Sequence, residues 1–184
     1  MKRTLTIAAL AAVVAIVATL TVTAKSTNVP TKQQQIARGE YLVTVGGCND
    51  CHTPLKMGPK GPEPDLSRML SGHPEHMAMP PAPKPNGPWL WAGAATNTAF
   101  AGPWGVSYAR NLTPDDNTGI GIWSEEMFVN TIRSGRHWGV ARPILPPMPW
   151  QNYARMNDDD LRAVYTYLRS IRPIKNQVPD AVLQ

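Results

Sequence analysis

Cys48-Asn49-Asp50-Cys51-His52 is the stretch on which the reading of this 184-residue chain turns. Two thiols at this spacing add across the two vinyl groups of a haem, and the adjacent His52 is then placed to ligate the iron from the proximal side; this is the attachment pattern of haem c. Two other chemistries use close cysteine pairs. A thioredoxin-type dithiol needs a surrounding βαβ pattern, and no alternating strand pattern is visible. A zinc site needs two further ligands; His73 and His76 are on offer, but there is no second cysteine pair. Cys48 and Cys51 are the chain's two cysteines, so a disulfide-stapled scaffold is excluded.

Upstream, Lys2 and Arg3 precede an uncharged run from Leu5 to Ala24 that ends Val22-Thr23-Ala24. A basic start, an apolar stretch and small residues at −3 and −1 predict a signal peptide over residues 1–24, cleaved after Ala24. The competing reading is an uncleaved membrane anchor over residues 5–24, since about 20 apolar residues can span a bilayer. Both readings place residues 25–184, expected as one domain, outside the cytoplasm, in the periplasm. That is the side on which haem is attached to apocytochromes.

The net charge of +5 falls to +3 once Lys2 and Arg3 are removed, too weak an excess to argue for nucleic-acid binding. With 17% charged and 42% hydrophobic residues the chain is not a disordered polyampholyte. Three helices are expected. One begins near Thr31, with Gln34 as its capping-box partner, and ends at Gly46-Gly47. The second starts at the N-cap Ser124 and ends at Gly135. The third is capped by Asn157, carries Leu161, Val164, Tyr165, Leu168 and Ile171 on one face, and stops at Pro173. Residues 53–107 hold 11 of the 19 prolines, so a long irregular excursion is expected there, with a short helix over 65–70 at most. The predicted fold class is all-α, a thin helical domain around one covalent haem with a long Pro-rich loop insertion wrapped about something large and apolar.

Haem iron has a second axial position. Met148 lies in Pro146-Pro147-Met148-Pro149-Trp150, where flanking prolines hold the loop extended and stiff. A stiff loop suits a weak thioether ligand, so His52 and Met148 are the candidate metal ligands. Met79, in Met77-Ala78-Met79-Pro80-Pro81, is the runner-up, and a gap-filling core role is the alternative for any lone methionine.

These residues resemble class I c-type cytochromes. Gly39 and Tyr41, ahead of Cys48, look like part of the family's N-terminal helix, with Gly39 permitting a close crossing with an aromatic of the C-terminal helix, Tyr165. The stretches Asn111-Leu112-Thr113-Pro114-Asp115, Thr118 to Ser124, Pro147 to Tyr153 and Met156 to Ser170 resemble the haem c modules in cytochrome subunits of membrane-bound alcohol and gluconate dehydrogenases. The resemblance covers roughly residues 33–54 and 108–178. It implies a class I cytochrome c-like fold and haem c with its iron as cofactor. Asn111 and Trp123 match its motif positions, where an amide or indole N–H bonds a haem propionate. Arg110 and Arg142 are candidates to pair with propionates, or are solvated surface charges. Trp150 is expected to pack on the ring, and His137 to be a surface histidine.

The expected function is periplasmic one-electron transfer by a monohaem cytochrome, a carrier rather than an enzyme. Its partners would be redox proteins: a dehydrogenase as donor, and an oxidase or another cytochrome as acceptor. The rivals are a cytochrome subunit held in a dehydrogenase or oxidase complex, a peroxidase or sensor with an open iron site, and a dithiol protein without haem.

Overall fold

The computed structural model describes residues 29–84 and 87–184; the expected targeting segment, residues 1–24, lies outside them. Among the described residues, no helix is long and apolar enough to cross a membrane.

Each long helix starts where a side chain can satisfy its free N–H groups. Thr31 opens α1 (Lys32–Val45): its hydroxyl accepts from the Gln34 N–H, and the Gln34 side chain accepts from the Thr31 N–H at 2.8 Å. Gly46 ends α1, and Gly47, at φ +67°, turns the chain directly into α2 (Cys48–His52). Ser124 caps α3 (Glu125–Ser134), which Gly135 closes in the left-handed conformation. After the short α4 (Trp150–Tyr153), Asn157 caps α5 (Asp158–Leu168), with three aspartates in its first turn facing the helix dipole. Helix α5 stops before Ile171 and Pro173, although Ile171 still packs on the core.

α1 and α5 cross at Gly39. A Cβ there would collide with the Ala163 carbonyl oxygen and lie 2.6 Å from the Tyr167 Cβ, so backbone meets backbone only because residue 39 has no side chain. The aromatic at the crossing is Tyr167. The expected partner, Tyr165, instead donates its hydroxyl to the Trp123 carbonyl at 2.8 Å. Leu42 and Val43 of α1 and Ala163, Val164, Tyr167 and Leu168 of α5 form the buried seam, joined by Phe128 of α3 and by Leu70 and Ile120. Gly39→Ala should force the helices apart and cost on the order of 2–3 kcal/mol, read as a lower urea midpoint. An unchanged midpoint would show that the crossing relaxes freely.

The all-α expectation is overturned, and a class I cytochrome c fold is not supported. The Pro-rich segment is folded into strands. β1 (Leu55–Gly58) and β2 (Gly61–Pro64) make an antiparallel hairpin. β3 (Ala92–Gly93), β4 (Ala99–Gly102), β5 (Gly105–Tyr108) and β6 (Val182–Leu183) form an antiparallel sheet in the order β3-β4-β5-β6. The chain is therefore a mixed α and β structure. These strands escape a periodicity reading for physical reasons: each has at most four residues, and all four residues of β4 are buried, so nothing alternates. The expected short helix over 65–70 is a 3₁₀ turn, Leu66–Arg68, capped by Asp65.

The last eleven residues lead back to the edge of this sheet. Asn176, fully buried, donates to the Ser71 and His73 carbonyls at 2.7 and 2.8 Å and accepts from Arg68 at 2.7 Å. The Arg110 guanidinium then holds the Val178 and Pro179 carbonyls at 3.0 and 3.2 Å and the Asp180 carboxylate at 2.9 Å, and β6 pairs with β5.

Candidate functional site

Helices α2 and α3, strands β4 and β5, the 142–149 loop and the C-terminal tail enclose a cavity of about 620 Å³. That falls within the roughly 300–1,000 Å³ usual for ligand cavities. All seven candidate residues, Cys48, Cys51, His52, Arg110, Asn111, Trp123 and Met148, line it.

Helix α2 carries both thiols and His52 in little more than one turn. Burial pushes the Cys48 thiol up to about 11, with Asp50 and Cys51 opposing its ionisation, and burial likewise raises Cys51. Both are therefore protonated thiols at neutral pH, the opposite of the depressed values that mark reactive dithiols. Among the described residues, no group of three or more His, Cys, Asp or Glu side chains converges as a metal cage. His73 is instead buried against Tyr108, with its ring nitrogens on Thr98 Oγ1 and the Met77 carbonyl.

His52 is buried, and its Nδ1 lies 2.7 Å from the Arg110 carbonyl oxygen. A carbonyl only accepts, so Nδ1 carries the hydrogen and Nε2 keeps its lone pair for a metal. Burial lowers the His52 pKa, against the effect of that hydrogen bond, and so also favours the neutral ligand form. The accepting carbonyl is held from outside. Gly72, at φ +78°, donates its N–H to the His52 carbonyl at 2.8 Å, and a Cβ on it would lie 2.8 Å from the Arg110 oxygen. From the other side, the Arg110 guanidinium is tied to the tail.

Met148 is half-buried, and it is the one methionine among those described that lines the cavity; Met79 does not. Its loop is fixed at both ends. Ser107 of β5 donates to the Pro146 carbonyl at 2.6 Å, and Tyr153 donates to the Gly46 carbonyl at 2.6 Å, beside Cys48. The proline frame is thus anchored on the sheet and on the turn that starts α2.

The polar candidates differ from one another. Asn111 donates to Thr118 Oγ1 and the Ile174 carbonyl, and its own oxygen accepts from the Thr113 N–H and hydroxyl. Its side chain is spent on holding the loop to the tail. Trp123 faces the cavity with no hydrogen bond to its indole nitrogen among the described residues. Arg110 and Arg142 both line the cavity, and burial and then the Arg110 charge lower the Arg142 pKa. His137 is not a plain surface residue: it lines the same cavity, and burial, Arg142 and Arg110 push it down to about 4. Phe100 and Ser107, also in the wall, lie in the 53–107 segment expected to be irregular, and Tyr108 directly follows it; no local pattern marks any of the three.

The neutral histidines carry a pH consequence. Above about pH 6.5, the ordinary histidine value, His137 is uncharged in both folded and unfolded chains and contributes no pH dependence. Below it the unfolded chain takes up a proton that the folded chain accepts only near pH 4, so stability falls as pH drops through this window. Buried His73, also lowered, acts in the same direction. Urea midpoints measured from pH 7 down to pH 5 should decrease, and His137→Gln should flatten the decrease; an identical slope in the variant would contradict the assignment.

The donor set fits a covalently held haem c: two thiols and an imidazole with free Nε2 on one short helix, a thioether from an anchored loop, aromatic walls, and cations for the propionates. No established protein-family profile matches the chain. It is 30% identical over 148 residues to the cytochrome c subunit of a quinone alcohol dehydrogenase of Gluconobacter oxydans, covering 79% of this chain and 24% of that protein. It is 28% identical over 150 residues to the cytochrome c subunit of gluconate 2-dehydrogenase of Pantoea cypripedii, covering 79% and 25%. It is 26% identical over 149 residues to the cytochrome subunit of fructose dehydrogenase of Gluconobacter japonicus, covering 80% and 24%. The chain is thus a homologue of the cytochrome c subunits of alcohol, gluconate and fructose dehydrogenases, matching about a quarter of their length.

Proposed function

We propose that the chain is a one-electron carrier of the periplasm, holding one haem c through Cys48 and Cys51 with His52 and Met148 as iron ligands. The observation that carries this reading is the meeting, in one cavity, of both thiols, a histidine with its Nε2 left free, and the one methionine among the described residues that lines it. Haem c, when bound there, supplies a centre that exchanges single electrons between ferric and ferrous iron. The chain's own residues do the rest. The Arg110 carbonyl fixes the His52 tautomer, the Pro146–Pro149 loop presents the thioether without having to move, and Phe100, Tyr108 and Phe128 keep the wall apolar. A mostly apolar wall and an anchored ligand loop keep reorganisation small, and a thioether favours the ferrous state.

Its partners are redox proteins, a dehydrogenase as donor and an oxidase or another cytochrome as acceptor. A second reading, a subunit held within a dehydrogenase complex, is favoured by the names of the relatives. Residues 5–24, as a retained anchor, would keep the carrier at the membrane surface. The testing experiment is an optical spectrum of the protein expressed in the periplasm, oxidised and reduced, with and without carbon monoxide. A low-spin haem indifferent to carbon monoxide is expected. A ferrous form that binds carbon monoxide readily would point to an open-site enzyme or sensor, and a colourless protein would remove the reading altogether.

A further inference from the structure

We propose that the loop from Gly135 to Pro143 is the docking surface for an acidic redox protein, with Trp138 as its central contact. The inference rests on the electron-carrier reading above but concerns the outer side of the cavity wall, and none of its residues is a proposed iron ligand.

The loop is built around an unusual backbone. Trp138 has φ +53° and ψ 19°, the left-handed region, which is costly for a bulky side chain and rarely kept without cause. Its surroundings over-determine it. His137 and Arg142 are joined through N–H and carbonyl at 3.0 Å, the Ile144 N–H reaches the Gly135 carbonyl at 2.7 Å, and Arg136 bridges Pro143. Gly135 and Gly139 on either side are also left-handed. The outcome is that Trp138 both lines the cavity and stands 57% exposed, spanning wall and solvent. Val140 beside it is 82% exposed.

Charge decides what such an apolar point would meet. Arg136 and Arg142 are exposed, and their guanidinium groups bond only to the Ala141 and Pro143 carbonyls. Among the described residues neither has a carboxylate within ion-pair distance, and residues 1–28, 85 and 86 contain no Asp or Glu. Arg133 and Arg110 nearby are engaged by Asp158 and Asp180, and His137, at about 4, is neutral at physiological pH. The loop therefore offers an exposed tryptophan and valine flanked by the unpaired Arg136 and by Arg142, whose charge Asp180 meets only in part. A second copy of this chain, with net charge +5, or +3 without Lys2 and Arg3, would meet like charge with like. A partner with carboxylates around an apolar spot complements it, and attraction of this kind steers the small, short-lived encounters typical of electron exchange. On docking, one electron passes from the reduced protein to the oxidised one; no bond forms or breaks and no proton moves.

Two measurements test this with the haem-loaded protein. The first is binding of an acidic blue-copper protein whose copper is replaced by zinc, so that no electron can pass, followed by amide NMR shifts. The shifts should centre on residues 135–143 and vanish at high salt. The second is the second-order rate of electron exchange with the native acidic blue-copper protein and with a basic one. Trp138→Ala should slow the acidic reaction at least tenfold. The double variant Arg136→Glu, Val140→Glu, whose side chains do not line the cavity, should keep the haem spectrum and reverse the salt dependence. Shifts centred elsewhere, or rates within twofold of the parent in both variants, would overturn the proposal. So would binding to anionic lipid vesicles, lost in the double variant, without binding of the acidic protein, since that would make the loop a membrane contact. A protein that lacks haem bands yet shows the zinc-protein shifts would fail the function reading and leave the docking surface standing.

Discussion

His52→Ala should abolish the low-spin spectrum. The side chain is buried, its Nδ1 is committed to the Arg110 carbonyl, and its Nε2 is the free donor on the helix that carries both thiols. Truncation removes the iron ligand, empties a buried position and strands a carbonyl oxygen, so the chain should lose about 2–4 kcal/mol as well. His137→Ala is the matched control. His137 lines the same cavity, but its backbone belongs to the docking loop and not to α2, so the variant should stay low-spin. Equal spectra for the two variants would contradict the ligand assignment.

Met148→Ala should have the second large effect. If its sulfur fills the sixth position, the ferric parent shows the weak near-infrared sulfur-to-iron band and the ferrous parent ignores carbon monoxide. The variant should lose the band, bind carbon monoxide and fall in potential by on the order of 0.1 V, within the ~0.8 V that axial ligands span. Met79→Ala should change none of these, because Met79 does not line the cavity. Replacing Pro147 and Pro149 with alanine should retain the band at room temperature and lose it on milder heating than the parent needs. The band would survive because Ser107 and Tyr153 still anchor the loop. Loss of the band in Met79→Ala and its survival in Met148→Ala would move the ligand into the Pro-rich segment.

How far the residues announced this arrangement depends on the range over which each feature is determined. Thr31 with Gln34, Ser124 and Asn157 act on backbone within three residues, so the helix starts were readable, and so was the thiol–thiol–imidazole spacing on α2. The proline frame around Met148 was readable for the same reason, as a local restriction of the chain. The sheet was not. β4 is buried along its whole length, and β6 is two residues whose strand character exists only because the tail runs antiparallel beside β5. The anchors of the Met148 loop were equally hidden, since Ser107 and Tyr153 bond to carbonyls 39 and 107 residues away. Tyr165 and Tyr167 show the limit most closely. Both sit on α5, two residues apart, and only the packing decides which one meets Gly39.

The central claim is that Cys48 and Cys51 hold one haem covalently. The most direct measurement is the intact mass of the protein expressed in the periplasm and unfolded in acid before analysis, so that no non-covalent group survives. The expected mass is that of the polypeptide plus one haem, and of the bare polypeptide for the variant Cys48→Ala, Cys51→Ala. A coloured native protein whose denatured chain has the bare mass, or a double variant that keeps the added haem mass, would contradict it.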